Sequence, residues 1–134
     1  MFDEKTINEL KSYVYLLINP DTKTPFYVGK GIGNRVFDHL MDAKDGKVGT
    51  DKLDHIQSIL KKHKSVEHVI VRHGLNEKTA FQIEASLIDT FRFIPTFNDF
   101  VSGNIQGGMN SIENGLMSSE EVKRKYNAVP LNSI

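Results

Sequence analysis

The sequence predicts an α/β chain of the α+β kind, a small central antiparallel sheet of three strands flanked by helices. Three observations carry this. In "YVYLLINPDTKTPFYVGKGIGNRVFDHL", Tyr13 to Leu40, two tyrosine-bearing apolar runs flank a segment of turn formers. A third short run rich in β-branched residues, Val66 to Arg72, stands apart from them. Between and beyond these runs apolar residues recur at helical spacing.

Tyr13 to Ile18 mixes aromatic, aliphatic and β-branched side chains and reads as a strand. "NPDTKTP" is dense in turn residues, and Phe26 to Val28 reads as the returning strand, ended by Gly29, Gly31 and Gly33. A hairpin turning near Thr22 sets Tyr15 opposite Tyr27, with both phenols on one face. A helix is expected from Asn34, with Val36, Phe37, Leu40, Met41 and Ala43 on its apolar face and Arg35, His39 and Asp42 on an adjoining one. "KDGKVG" closes it. Thr50 or Asp51 caps a second helix with an apolar stripe of Leu53, Ile56, Ile59 and Leu60. After the third strand, "HGLN" reads as a turn, and Asn76 caps a helix running to about Phe91. Pro95 opens a stretch rich in glycine and asparagine. "SSEE", Ser118 to Glu121, has the form of a capping box for a last short helix ending near Tyr126.

The chain has 134 residues and suits one domain with a hydrophobic core. It has no cysteine, which rules out a disulfide framework and a thiolate metal site. Its longest apolar run is far short of a membrane span, and no signal-like apolar segment opens it, so a cytoplasmic location is expected. The formal net charge of zero weighs against bulk attraction to nucleic acid but leaves room for a local basic groove. Lys61, Lys62, His63 and Lys64 form one basic cluster, equally readable as cations at a helix C-terminus. His55, His63, His68 and His73 lack metal-ligand spacing and read as surface or strand-end residues.

Glu84 breaks its surroundings. Ala80, Ile83, Leu87, Ile88 and Phe91 have the spacing of a buried helix face, and Glu84 lies inside that stripe. A carboxylate there needs compensation. A metal ion, protonation, or an ion pair with Arg35 or Lys30 would each serve, and structural ion pairs perturb carboxylates as active sites do. Paired strand tyrosines are most often core packing. The glycine turn before a helix could cradle a nucleotide phosphate, although "GKGIGN" fits neither the dinucleotide fingerprint nor the P-loop.

Together these pieces resemble the GIY-YIG nuclease family. Tyr13-Val14-Tyr15 stands where the first motif is expected and Tyr27-Val28-Gly29 where the second is, twelve residues separating Tyr15 from Tyr27. Lys30 follows directly. Arg35 and His39 match the family's helix arginine and the histidine one turn later, Glu84 its metal-binding glutamate, and Asn98 an asparagine near the end of its core. "FYVGKGIGNRVFDHL" with "VRHG", "IEASLID" and "VSG" is most similar to the subgroup whose animal members join the nuclease to ankyrin repeats and a LEM domain. The resemblance places a core at about 12–103, followed by a tail, 104–134, of loop and short C-terminal helix. The chain departs from the family at Tyr13, which replaces the first glycine, and at two valines in place of isoleucine.

The resemblance implies a metal-dependent endonuclease that hydrolyses DNA phosphodiester bonds with one cation, Mg²⁺ or Mn²⁺. Its catalytic set would be Tyr15, Tyr27, Lys30, Arg35, His39 and Glu84, with Glu84 the metal ligand and Asn98 a further candidate. Arg35 suits bidentate phosphate binding and Lys30 adds a point charge. Magnesium keeps much of its water, so one protein carboxylate suffices to hold it. Tyr15 or Tyr27 would be the base, its pKa lowered by nearby cations. One open groove lined by all six residues is expected. The alternative is a catalytically silent module that grips nucleic acid or a partner protein. Branched or otherwise structured DNA is among the candidate substrates.

Overall fold

The structure is a computed structural model; it describes residues 1–62, 64–94, 100 and 115–127. Its elements in chain order are α1 (Glu4–Leu10), β1 (Ser12–Ile18), β2 (Pro25–Gly31), a 3-10 turn (Arg35–Phe37), α2 (Asp38–Lys44), α3 (Asp51–Lys61), β3 (Glu67–Leu75), α4 (Glu77–Phe93) and α5 (Ser119–Asn127). The strands form one antiparallel sheet in the order β2-β1-β3. The expected α+β architecture is therefore present. Asn98 and most of the segment after α4 lie outside the described residues.

Each expected cap forms. Thr50 accepts from Leu53 N–H at 3.3 Å and Asn76 from Thr79 N–H at 2.8 Å. Ser118 and Glu121 make the reciprocal capping box, at 3.1 and 3.4 Å. Helix α1 has no apolar stripe to announce it. It is capped by Asp3, which accepts from Thr6 N–H at 2.8 Å, and it buries only Leu10.

Three expectations are corrected. Strand β2 does not end at Val28 but continues through Gly29, Lys30 and Gly31, because those glycines are slots for other side chains. The hairpin pairs Tyr15 with Gly29 and Leu17 with Tyr27, so the two tyrosines are diagonal neighbours. The offset is even and keeps them on one face, with ring centroids 6.2 Å apart. Finally, His73, Gly74 and Leu75 extend β3 and are not a turn.

Alternation along β1 and β2 gives the sheet two unlike faces. Tyr13, Tyr15, Leu17 and Tyr27 pack with Val36, Ala43, Leu53 and Ile56 of the 3-10 turn, α2 and α3. Val14 and Val28 pack with Ala80 and Ile88 of α4. No described helix is long and apolar enough to cross a membrane.

Candidate active site

Two slots in β2 organise the tyrosine face. A Cβ on Gly29 would lie 2.5 Å from both Cζ and Oη of Tyr15, so only glycine leaves room for that phenol. A Cβ on Gly31 would lie 2.7 Å from Cβ and Cγ of Arg35, so the arginine stem crosses the strand there. The two gaps lie opposite Tyr15 and Tyr13 respectively, which sets Tyr15 and Arg35 side by side on one face.

Tyr15 is 1% exposed and Tyr27 is 6% exposed. Tyr15 Oη lies 3.0 Å from His39 Nε2, and it donates to that nitrogen in the tautomer with its proton on Nδ1. The Tyr27 ring meets His39 edge-on at 5.0 Å. His39 is buried with Val36 and Ala43, not on the adjoining face with Arg35. It lies three residues after Val36 and four before Ala43, both buried, which is ordinary helical spacing for one face. Burial, with the charges of Lys52 and Arg35, lowers the His39 pKa to about 4, so the imidazole is neutral at pH 7.

The phenols run against the expected direction. Burial raises the pKa of Tyr15 well above that of free tyrosine, and it also raises Tyr27. Arg35 pulls both down and Glu84 pushes both up. In this structure desolvation outweighs the cation.

Glu84 is 2% exposed in the stripe of Ala80, Ala85 and Ile88. It therefore belongs to α4, on the far face of the sheet, yet its charge acts on both phenols. Lys30 also lies on the α4 side, its Nζ 3.6 Å from a carboxylate oxygen of Glu77. Arg35 is 62% exposed and lies 3.9 Å from Asp38.

An open groove of about 600 Å³ runs beside these residues, lined by Lys30 and Arg35 with Ser12, Asn34, Asp38 and Glu77. Tyr15, Tyr27, His39 and Glu84 do not line it. The expected six-residue groove is thus divided: exposed Arg35 and half-buried Lys30 line the opening, Tyr15, Tyr27 and His39 are buried on one face of the sheet, and Glu84 is buried in α4 on the other. Strand alternation and burial of the phenols cause the division. Among the described residues, no three His, Cys, Asp or Glu side chains converge as a metal cluster.

Lys52 was not among the sequence candidates. Its ammonium lies 5.0 Å from the centre of the Tyr27 ring, and its charge lowers the pKa of His39. Burial and Arg35 lower the pKa of Lys52 in turn. Its one linear signal is its place in the first turn of α3, beside the Thr50 cap.

A three-stranded antiparallel sheet with a glycine-slotted hairpin, a phenol–imidazole pair, an arginine turn and a buried helix carboxylate defines a GIY-YIG-type domain. Residues 12–121 match the LEM-3-like GIY-YIG domain, and the chain belongs to that family. GIY-YIG domains form a nuclease family that acts on nucleic acids. The chain is similar to the ankyrin repeat and LEM domain-containing protein 1 homolog of Caenorhabditis elegans, with 28% identity over 109 residues. That alignment covers 74% of this chain and 15% of the relative's length. No solved structure matches the chain.

Proposed function

We propose that the protein is an endonuclease that hydrolyses DNA phosphodiester bonds with the help of one divalent cation, Mg²⁺ or Mn²⁺. One observation carries this reading: slots at Gly29 and Gly31 set Tyr15 and the Arg35 stem on one face of the sheet beside Tyr27, and the Tyr15 hydroxyl is hydrogen-bonded to His39. A hairpin built only for packing has no need of that convergence.

The donor set fits a hard cation. Glu84, buried in the α4 stripe, would supply one carboxylate oxygen to such an ion, whose remaining shell is water and substrate oxygens. Such an ion would stabilise charge on the leaving oxygen. The chain's own residues do the rest. Arg35, exposed at the groove, binds the non-bridging phosphate oxygens through its planar fork, and Lys30 adds a second positive charge. Tyr15 is the base. Its phenolate takes the proton of the attacking water, the water's oxygen bonds to phosphorus, and the sugar oxygen leaves. His39 orients the phenol through the 3.0 Å hydrogen bond.

The test is incubation with supercoiled, linear and branched DNA in Mg²⁺, Mn²⁺ or EDTA. Cleavage that depends on metal and is lost in Glu84→Gln is expected. Tight DNA binding without cleavage in any of these conditions overturns the enzyme reading in favour of a binding module.

A further inference from the structure

Tyr13 occupies the place of the first motif's glycine, where a large side chain is least expected. It is fully buried, and its hydroxyl is used twice. It donates to the carbonyl oxygen of Gly33 at 2.7 Å and accepts from Val36 N–H at 3.1 Å. Those partners flank Asn34 and Arg35. The phenol thereby closes a ring around the segment that carries the arginine.

Other contacts act on the same turn. Gly33 holds φ at +59°, Arg35 N–H bonds to the Ile32 carbonyl at 3.2 Å, and Asn34 Oδ1 accepts from Phe2 N–H at 2.8 Å. The Arg35 stem then lies against Gly31, where a Cβ would be 2.7 Å away. Among the described residues, the ion-pair partner of the guanidinium is Asp38, at 3.9 Å. The Arg35 backbone is therefore held tightly while its side chain is exposed. A 3-10 turn of three residues has few hydrogen bonds of its own and needs such external ties.

We infer that Tyr13 is a positioning residue for Arg35: its hydroxyl, bonded to Gly33 and Val36, fixes the turn from which the guanidinium reaches the scissile phosphate. The inference rests on the nuclease reading for its kinetic consequence, but not for its structural one. The large side chain at a glycine position is then a replacement part, since a glycine there has no hydroxyl with which to hold the turn.

The experiment is a double-mutant cycle of Tyr13→Phe with Arg35→Ala, combined with hydrogen exchange. Phenylalanine keeps the ring in its buried place and removes only the hydroxyl. Turnover in Tyr13→Phe is expected to fall about tenfold to a hundredfold, as for a catalytic group displaced by a fraction of an ångström. DNA affinity stays within about twofold, and the substitution has no further effect on turnover in the Arg35→Ala background. Exchange of the Val36 amide accelerates while the β1 amides keep their protection. Unchanged turnover, or an equal fractional loss in both backgrounds, overturns the proposal. Collapse of cooperative folding in Tyr13→Phe overturns it too, because the hydroxyl would then hold the core and not the turn. If the wild-type chain cleaves no DNA, the nuclease reading fails by itself. The exchange data then decide the positioning role: selective acceleration at Val36 supports it, and unchanged or uniform exchange refutes it.

Discussion

The two faces of the sheet are made by alternate residues of the same strands, yet they bury different chemistry. One face carries Tyr13, Tyr15 and Tyr27 against His39, and the hydroxyls of Tyr13 and Tyr15 are tied into hydrogen bonds. The other carries Val14 and Val28 against Ala80 and Ile88, with Glu84 the one ionisable group in its helix stripe. The aliphatic face needs only volume and shape. The tyrosine face needs specific partners, and it obtains space for them through two glycines in β2. A buried polar face of this kind tolerates little change, because every atom left without its partner incurs the full cost of desolvation.

The largest expected effect joins the two faces. Glu84→Gln keeps the side chain's shape and removes its charge, so it abolishes cleavage while circular dichroism and DNA affinity stay as in the wild type. Wild-type cleavage by this variant at equal metal concentration would separate α4 from the chemistry. Arg35→Lys keeps a charge but loses the planar fork. Turnover should fall by about two to three decades. DNA binding should weaken far less, and equal losses in both quantities would make Arg35 a simple phosphate anchor.

Gly29→Ala attacks the tyrosine face directly. Its methyl meets the ring and hydroxyl of the buried Tyr15 at 2.5 Å. A loss of about 1–3 kcal/mol in urea denaturation is expected, together with loss of activity. An alanine variant as stable as the wild type would show that the slot is not filled as described.

The pH profile distinguishes the two members of the phenol–imidazole pair. With Tyr15 as base, burial keeps the phenol protonated at neutral pH, so kcat should climb tenfold per pH unit through about pH 9. With His39 as base, the rate would level off above about pH 5. Tyr15→Phe should remove the alkaline rise and most of the activity, while Tyr27→Phe should cost less.

The last effect is on stability alone and is absent at neutral pH. His39 is neutral when folded, with a pKa near 4, below the ordinary value of 6.5 that it regains on unfolding. The unfolded chain therefore binds the proton first as pH falls. Stability is unaffected above about pH 7, declines between the two values, and has lost at most about 3 kcal/mol below the lower one. His39→Gln should flatten this part of the urea-midpoint profile relative to wild type. An unchanged slope would mean that His39 is solvated.

Much of this was legible because it is local. Helix caps depend on residues two or three positions apart, and Thr50, Asn76 and Ser118 all act as the linear pattern expects. Glu84 was conspicuous because helical periodicity computes burial from neighbours in the chain. His39 lies three residues after Val36 and four before Ala43, the ordinary spacing of that buried face, and only its polar side chain argued for setting it apart.

The order of the elements after α1, the three strands, the hairpin and the inward carboxylate followed from spacing and residue type alone, since each is set within one or two turns of chain. The register of the hairpin, the slots at Gly29 and Gly31, the double use of the Tyr13 hydroxyl and the approach of Lys52 to Tyr27 did not. Each depends on where a distant side chain comes to rest. A glycine in a linear pattern looks the same whether it breaks a strand or makes room in one, and only the packed neighbour distinguishes the two.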